Sequence, residues 1–127
     1  LELLEKNSKQ IIFVLHVNCF QELDNDIFEA LSKIQSLKIP VLSQSVLLKG
    51  VNDSTKQLKE LFWALSKRGI IPYYLHQFDK VQRALHFEVE KSKGIRIIKE
   101  LRSSMPGYTV PNFVEEIEGR DSKTILS

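Results

Sequence analysis

The sequence predicts an α/β protein, a parallel sheet with helices packed outside it. Three observations carry that expectation. Apolar, β-branched runs begin near residues 11, 41 and 70, about 30 residues apart, which is the length of one strand–helix–strand unit. Between them, apolar residues recur at helical spacing. The 127 residues are 43% apolar and 27% charged, the balance of a folded domain and not of a disordered segment.

Ile11 to Leu15 is a continuous apolar run between Gln10 and His16, suited to a strand covered on both faces. Asp24 or Asn25 can cap the next helix, whose apolar stripe is Ile27, Phe28, Leu31 and Ile34. Lys33 and Lys38 fall near its end, and Pro40 stops it. Val41 to Leu48 reads as a second strand with a polar middle. Asn52, Asp53 and Ser54 form a cap region before Leu58, Leu61, Phe62 and Leu65, and Gly69 is placed to end that helix in a left-handed conformation. Ile70, Ile71, Tyr73, Tyr74 and Leu75 predict a third strand, in which Pro72 removes one backbone donor. Gly94, Ile97, Ile98 and Leu101 carry a third helix.

A last extended segment, Tyr108 to Val114, leads into a polar tail, Glu115 to Ser127. Spacing alone reads that tail as a frayed terminus. Residues 1–106 therefore hold three β/α units, and residues 107–127 the extended segment and tail. Three units cannot close a barrel. The periodicity fits a small open sheet and an arc of a larger barrel equally well.

Composition excludes several classes. Eighteen basic against 16 acidic residues leave a net charge of +2, too little for a nucleic-acid surface, where each neutralised phosphate needs its own cation. No apolar run is long enough to span a membrane, and no signal-peptide pattern is visible, so a cytoplasmic location is expected. The lone cysteine, Cys19, permits neither a disulfide framework nor a site built from several thiolates. No glycine-rich phosphate loop, no nucleophile elbow and no His-Glu-x-x-His spacing occurs. His76 and His86 lie ten apart and His16 on a distant strand, so no metal site is expected.

The positive signal lies at the strand ends. In parallel α/β folds, ligands gather where the strands end at their carboxyl side. Here His16 and Asn18 follow the first run, Gln44 and Ser45 sit within the second, and His76, Gln77 and Asp79 follow the third. Gln44 inside an apolar run is the most telling, because a buried amide needs partners. Three successive strands delivering polar side chains to one rim point to a binding site.

Those strand-end segments also resemble one family. His16-Val17-Asn18, Leu42 to Asp53, Pro72 to Val81, His86-Phe87 and Gly107 to Pro111 are similar, in this order, to lysine 2,3-aminomutases. Glu116 to Thr124 looks most like the branch acting with elongation factor P. The resemblance implies the carboxyl-terminal arc of a partial (β/α)6-type radical S-adenosylmethionine barrel, plus a tail, with pyridoxal phosphate, S-adenosylmethionine and a [4Fe–4S] cluster as cofactors. It implies an isomerase that converts lysine to β-lysine by radical migration of the amino group. The cofactors supply the difficult chemistry and the protein positions them.

Carried over by position, Lys123 matches the catalytic lysine that binds pyridoxal phosphate, which predicts that the tail folds back over the barrel mouth. Asp79 and Glu116 match carboxylates for the substrate ε-ammonium, and His16, Asn18 and Gln44 match positions near S-adenosylmethionine. The family's cluster is held by three cysteines that this chain lacks. The non-Met start agrees with a carboxyl-terminal part only, inactive by itself. Arg83 stands where relatives have glycine. The competing expectation is a non-catalytic half-barrel that binds ligand or a partner, and uncovered strand edges predict self-association as a homo-oligomer in either case.

Overall fold

A computed structural model of the chain describes residues 10–78, 85–116 and 123–127. Five strands among them form one sheet in sequence order: β1 Phe13–His16, β2 Val41–Leu47, β3 Ile71–Gln77, β4 Asn112–Glu115 and β5 Thr124–Ile125. The first four are mutually parallel, and β5 runs antiparallel to β4. Helices α1 (Asn25–Ser36), α2 (Thr55–Ser66) and α3 (Lys91–Ser104) alternate with them. Strands β4 and β5, both beyond residue 106, continue the same sheet as β1 to β3.

Local chemistry sets the helix ends. Asp24 Oδ1 accepts the Ile27 N–H at 2.8 Å, and Ser54 Oγ accepts the Gln57 N–H at 3.1 Å, so each satisfies one of the donors a helix start leaves free. Gly69, at φ 75°, ends α2 with its N–H on Ser66 and the Ile70 N–H on Leu65. α1 stops before Pro40 is reached. Lys38 turns the chain at φ 62°, a conformation that a non-glycine residue seldom takes.

The helices cover one face of the sheet. Along β2 the buried positions alternate strictly: Val41, Ser43, Ser45 and Leu47 turn to the helices, while Leu42, Gln44 and Val46 are only half-buried. Leu47, Leu75 and Phe113 meet Leu58, Leu61, Phe62, Leu65, Ile98 and Leu101 in a single core. Gly94 lets α3 approach the sheet closely. A Cβ there would lie 2.5 Å from Phe113 Cζ and 3.0 Å from Leu47 Cδ2.

The other face stays open toward β1, which corrects the expectation of a first strand covered on both sides. Val14 and His16 are exposed, and so is Ile12 just before the strand. Within β1, Phe13 and Leu15 pack toward the core, as do Ile11 before it and Val17 after it. The last segment also differs from the expectation. A short 3₁₀ turn, Gly107–Thr109, precedes β4, so the extended stretch begins later than Tyr108. The tail is not a frayed end over residues 123–127. The N–H groups of Leu126 and Ser127 donate to the Phe113 carbonyl, and the Phe113 N–H donates to that of Ser127, so β5 is zipped onto β4.

Candidate functional site

Alternation along the strands gathers polar side chains on the open face. His16 is in register with Gln44, and Gln44 with Tyr74. His76 then follows two residues beyond Tyr74, on the same side of β3. Pairing between β2 and β3 slips at one point: Ser43 faces Pro72, yet Gln44 faces Tyr74, leaving Tyr73 as the extra residue of a bulge. Pro72, which cannot donate to the ladder, sits where the slip tolerates it. Tyr73 and Tyr74 contact each other with centroids 4.5 Å apart.

Gln44 and His76 make the central contact. His76 Nε2 lies 3.3 Å from Gln44 Oε1, and the Tyr74 ring meets the imidazole edge-on at 5.6 Å. Gln44 is half-buried, less enclosed than the sequence suggested, and its amide has found a partner on the neighbouring strand. Only one strand separates His16 from His76, so the two histidines are closer than their sequence positions imply.

The tail supplies the remaining groups. Lys123 Nζ lies 3.5 Å from Glu116 Oε1 and 5.2 Å from the centroid of the Tyr74 ring, within cation–π range. The Lys123 side chain is 31% exposed and that of Glu116 72%, so the amine is the more enclosed partner. The return of β5 along β4 is what brings the amine there. Burial and the nearby Lys123 charge hold the His76 imidazole below its ordinary pKa, with Glu116 opposing and His16 adding to the shift. His76 is therefore neutral at pH 7.

The structure divides the rim residues. His16, Gln44, His76, Glu116 and Lys123 belong to the open face. Ser45 and Gln77 do not: Ser45 Oγ donates to the Val17 carbonyl, and Gln77 Nε2 to Val89 at 2.7 Å, both on the helix side. Asn18 Oδ1 accepts the Val46 N–H at 2.9 Å, so half of that amide is already engaged. Asp79 and Arg83 lie outside the described residues. No group of three or more His, Cys, Asp or Glu side chains among the described residues could hold a metal ion.

A clasp beneath the rim was missed by sequence reasoning, which took Asn52 for part of a helix cap. Asn52 is 1% exposed and donates to the Asn18 and Val46 carbonyls at 2.7 and 2.9 Å, while its oxygen accepts the Leu48 N–H at 2.8 Å. One side chain thus ties the end of β1 to the end of β2. Two ion pairs extend the bracing: Lys93 with Asp53 at 2.9 Å, and Lys91 with Glu115 at 2.8 Å. Burial raises the Asp53 carboxyl, but the Lys93 hydrogen bond and charge, together with backbone N–H groups, hold it below its ordinary value overall. Tyr74 was also missed as a site residue, because the bulge that turns it beside Lys123 leaves no mark in the alternation pattern.

Known proteins bear on this arrangement. The chain is 42% identical over 125 residues to an L-lysine 2,3-aminomutase of Haemophilus influenzae, and 41% identical over 125 residues to that of Escherichia coli, each match covering 98% of the chain. It belongs to the lysine 2,3-aminomutase family. The match is to the carboxyl-terminal part of these aminomutases, and the chain spans 37% and 36% of their respective lengths. The aminomutase of Clostridium subterminale is 39% identical over 109 residues, covering 86% of the chain. No family model matches the sequence.

Proposed function

We propose that this chain forms the carboxyl-terminal side of the active site of a lysine 2,3-aminomutase, an isomerase that turns lysine into β-lysine. The observation that carries this reading is the position of Lys123, held on the open sheet face between the Glu116 carboxylate and the Tyr74 ring. In this reading the sheet is the closing arc of a partial (β/α)6-type barrel, and the open face is its interior. The tail sequence Glu116 to Thr124 supports an enzyme that provides β-lysine for elongation factor P.

The residues present can be tested against each cofactor. Pyridoxal phosphate requires a primary amine, and Lys123 is the amine of the open face, bordered by a flat aromatic ring. His16, Gln44 and the free amide group of Asn18 offer polar contacts to S-adenosylmethionine along the ends of β1 and β2. A [4Fe–4S] cluster does not fit this chain, which has one cysteine, so its ligands lie elsewhere in the reading proposed. When bound, S-adenosylmethionine would be the source of radical chemistry at the ends of β1 and β2, and pyridoxal phosphate on Lys123 would hold the substrate amino group.

The chain's own contribution is recognition and placement. Glu116 is a charge-assisted acceptor for the substrate ε-ammonium, and Asp79 is the proposed second acceptor. Together the two carboxylates would select a substrate that ends in an ammonium group. The Tyr74 ring borders the amine on one side.

The test is an assay of the full-length protein with lysine, S-adenosylmethionine, pyridoxal phosphate and a reductant. The wild type forms β-lysine, Lys123→Ala forms none, and Glu116→Gln raises the KM for lysine. β-Lysine formation by Lys123→Ala at the wild-type rate would exclude the assignment. A full-length protein that binds neither lysine nor S-adenosylmethionine would select the non-catalytic half-barrel instead.

A further inference from the structure

We propose that His76 is a positioning residue for Gln44, fixing which end of the Gln44 carboxamide is offered to ligand. The proposal rests on the reading that Gln44 borders the S-adenosylmethionine site, and it adds a residue to which neither the comparisons nor the family resemblance gives a role. The argument is one of hydrogen-bond inventory. A carboxamide has an acceptor end and a donor end, and the two are easily exchanged by rotation. In this structure the oxygen end lies 3.3 Å from His76 Nε2.

A neutral imidazole carries one N–H. If Nε2 bears it, Nε2 donates to Gln44 Oε1 and the Gln44 NH₂ turns to the open face. The surroundings favour the neutral ring. His76 is half-buried, the Lys123 cation approaches from the tail and His16 faces it from β1. Glu116 alone opposes them among the described groups that act on His76. Tyr74, two residues earlier on the same strand, holds the imidazole edge-on and limits its rotation. The result is a fixed donor on the open face, suited to an acceptor atom such as a carboxylate oxygen or a ring nitrogen. A free-swinging glutamine would present either end.

The test is a double-mutant cycle in the full-length protein, with S-adenosylmethionine affinity read by isothermal titration calorimetry. His76→Phe keeps a ring but cannot donate, and is expected to weaken S-adenosylmethionine binding about fivefold, the size of one lost hydrogen bond. His76→Gln, which restores an N–H donor near the same place, is expected to recover most of that loss. In the Gln44→Ala background, His76→Phe is expected to add nothing. Thermal midpoint and pyridoxal phosphate absorbance should stay at wild-type values throughout, which a general packing defect would not permit.

Wild-type affinity in His76→Phe, or an additive loss in the Gln44→Ala background, overturns the proposal while leaving the placement of Gln44 intact. Wild-type affinity in Gln44→Ala itself removes S-adenosylmethionine from this position and overturns both.

Discussion

On the helix-covered face of the sheet, Leu47, Leu75 and Phe113 have no exposed surface, and the polar residues interspersed with them, Ser43, Ser45 and Gln77, are buried too. One residue away along the same strands, Val46, Gln44, Tyr74 and His76 stand half-buried among groups that carry charge or hydrogen-bonding capacity. Both faces come from the same short segments, so the period of two lets a strand serve stability with one set of residues and recognition with the other. The helix face holds few polar groups, and one of them, Gln77 Oε1, is buried with no partner among the described residues. The open face concentrates them, with Lys123 and Glu116 brought in from the tail. Damage to the first face should therefore appear as lost stability, and damage to the second as lost binding.

The largest effect on stability is expected from Phe113→Ala, at about 3–5 kcal/mol, because it empties a fully enclosed aromatic position beneath α3. Denaturant unfolding of the full-length protein measures it. Gly94→Ala should cost about 1–3 kcal/mol, since the new methyl would lie 2.6 Å from Phe113 Cε2 and force the ring or the helix to move. A similar loss, about 1–3 kcal/mol, is expected for Asn52→Ala, which strips partners from the Asn18 and Val46 carbonyls and the Leu48 N–H. That substitution would sharpen the comparison, because loosening the clasp moves the ends of β1 and β2 and should weaken S-adenosylmethionine binding as well.

The open face should behave differently. Lys123→Ala is expected to change stability by no more than about 1 kcal/mol, since a largely solvated ion pair contributes little. A loss as large as that of Phe113→Ala would break the distinction between the faces. The smallest effect is a dependence on pH. The unfolded chain protonates His76 before the folded one does, so stability is level above the ordinary imidazole pKa and declines as pH falls through the folded value. Unfolding titrations from about pH 7.5 down to about pH 5 should show this decline in the wild type and a flatter profile in His76→Phe. Asp53, whose carboxyl is held low, adds its own loss only at more acidic pH.

Much of this arrangement was legible in the sequence. Apolar spacing placed α1, α2 and α3, and Asp24, Ser54 and Gly69 marked their ends as their chemistry requires. Gln44, polar within an apolar strand, was expected to need a partner, and His76 on the neighbouring strand is one. What the spacing could not reveal depends on contacts distant along the chain. The Asn52 clasp joins β1 to β2 across 34 positions, and the bulge beside Pro72 decides that Tyr74 and His76 share the face of Gln44. Lys123 was invisible to pattern reasoning, because a polar tail carries no periodicity that foretells its pairing with β4. Family resemblance, not spacing, singled it out.

The most direct measurement is to load the full-length protein with pyridoxal phosphate, reduce it with borohydride and map the label by peptide mass spectrometry. The pyridoxyl group is expected on the lysine at position 123, and the label and visible absorbance should both vanish in Lys123→Ala. A label fixed on another lysine, with absorbance unchanged in that variant, would mean that the amine beside Tyr74 is a surface cation and that the open face serves some other end.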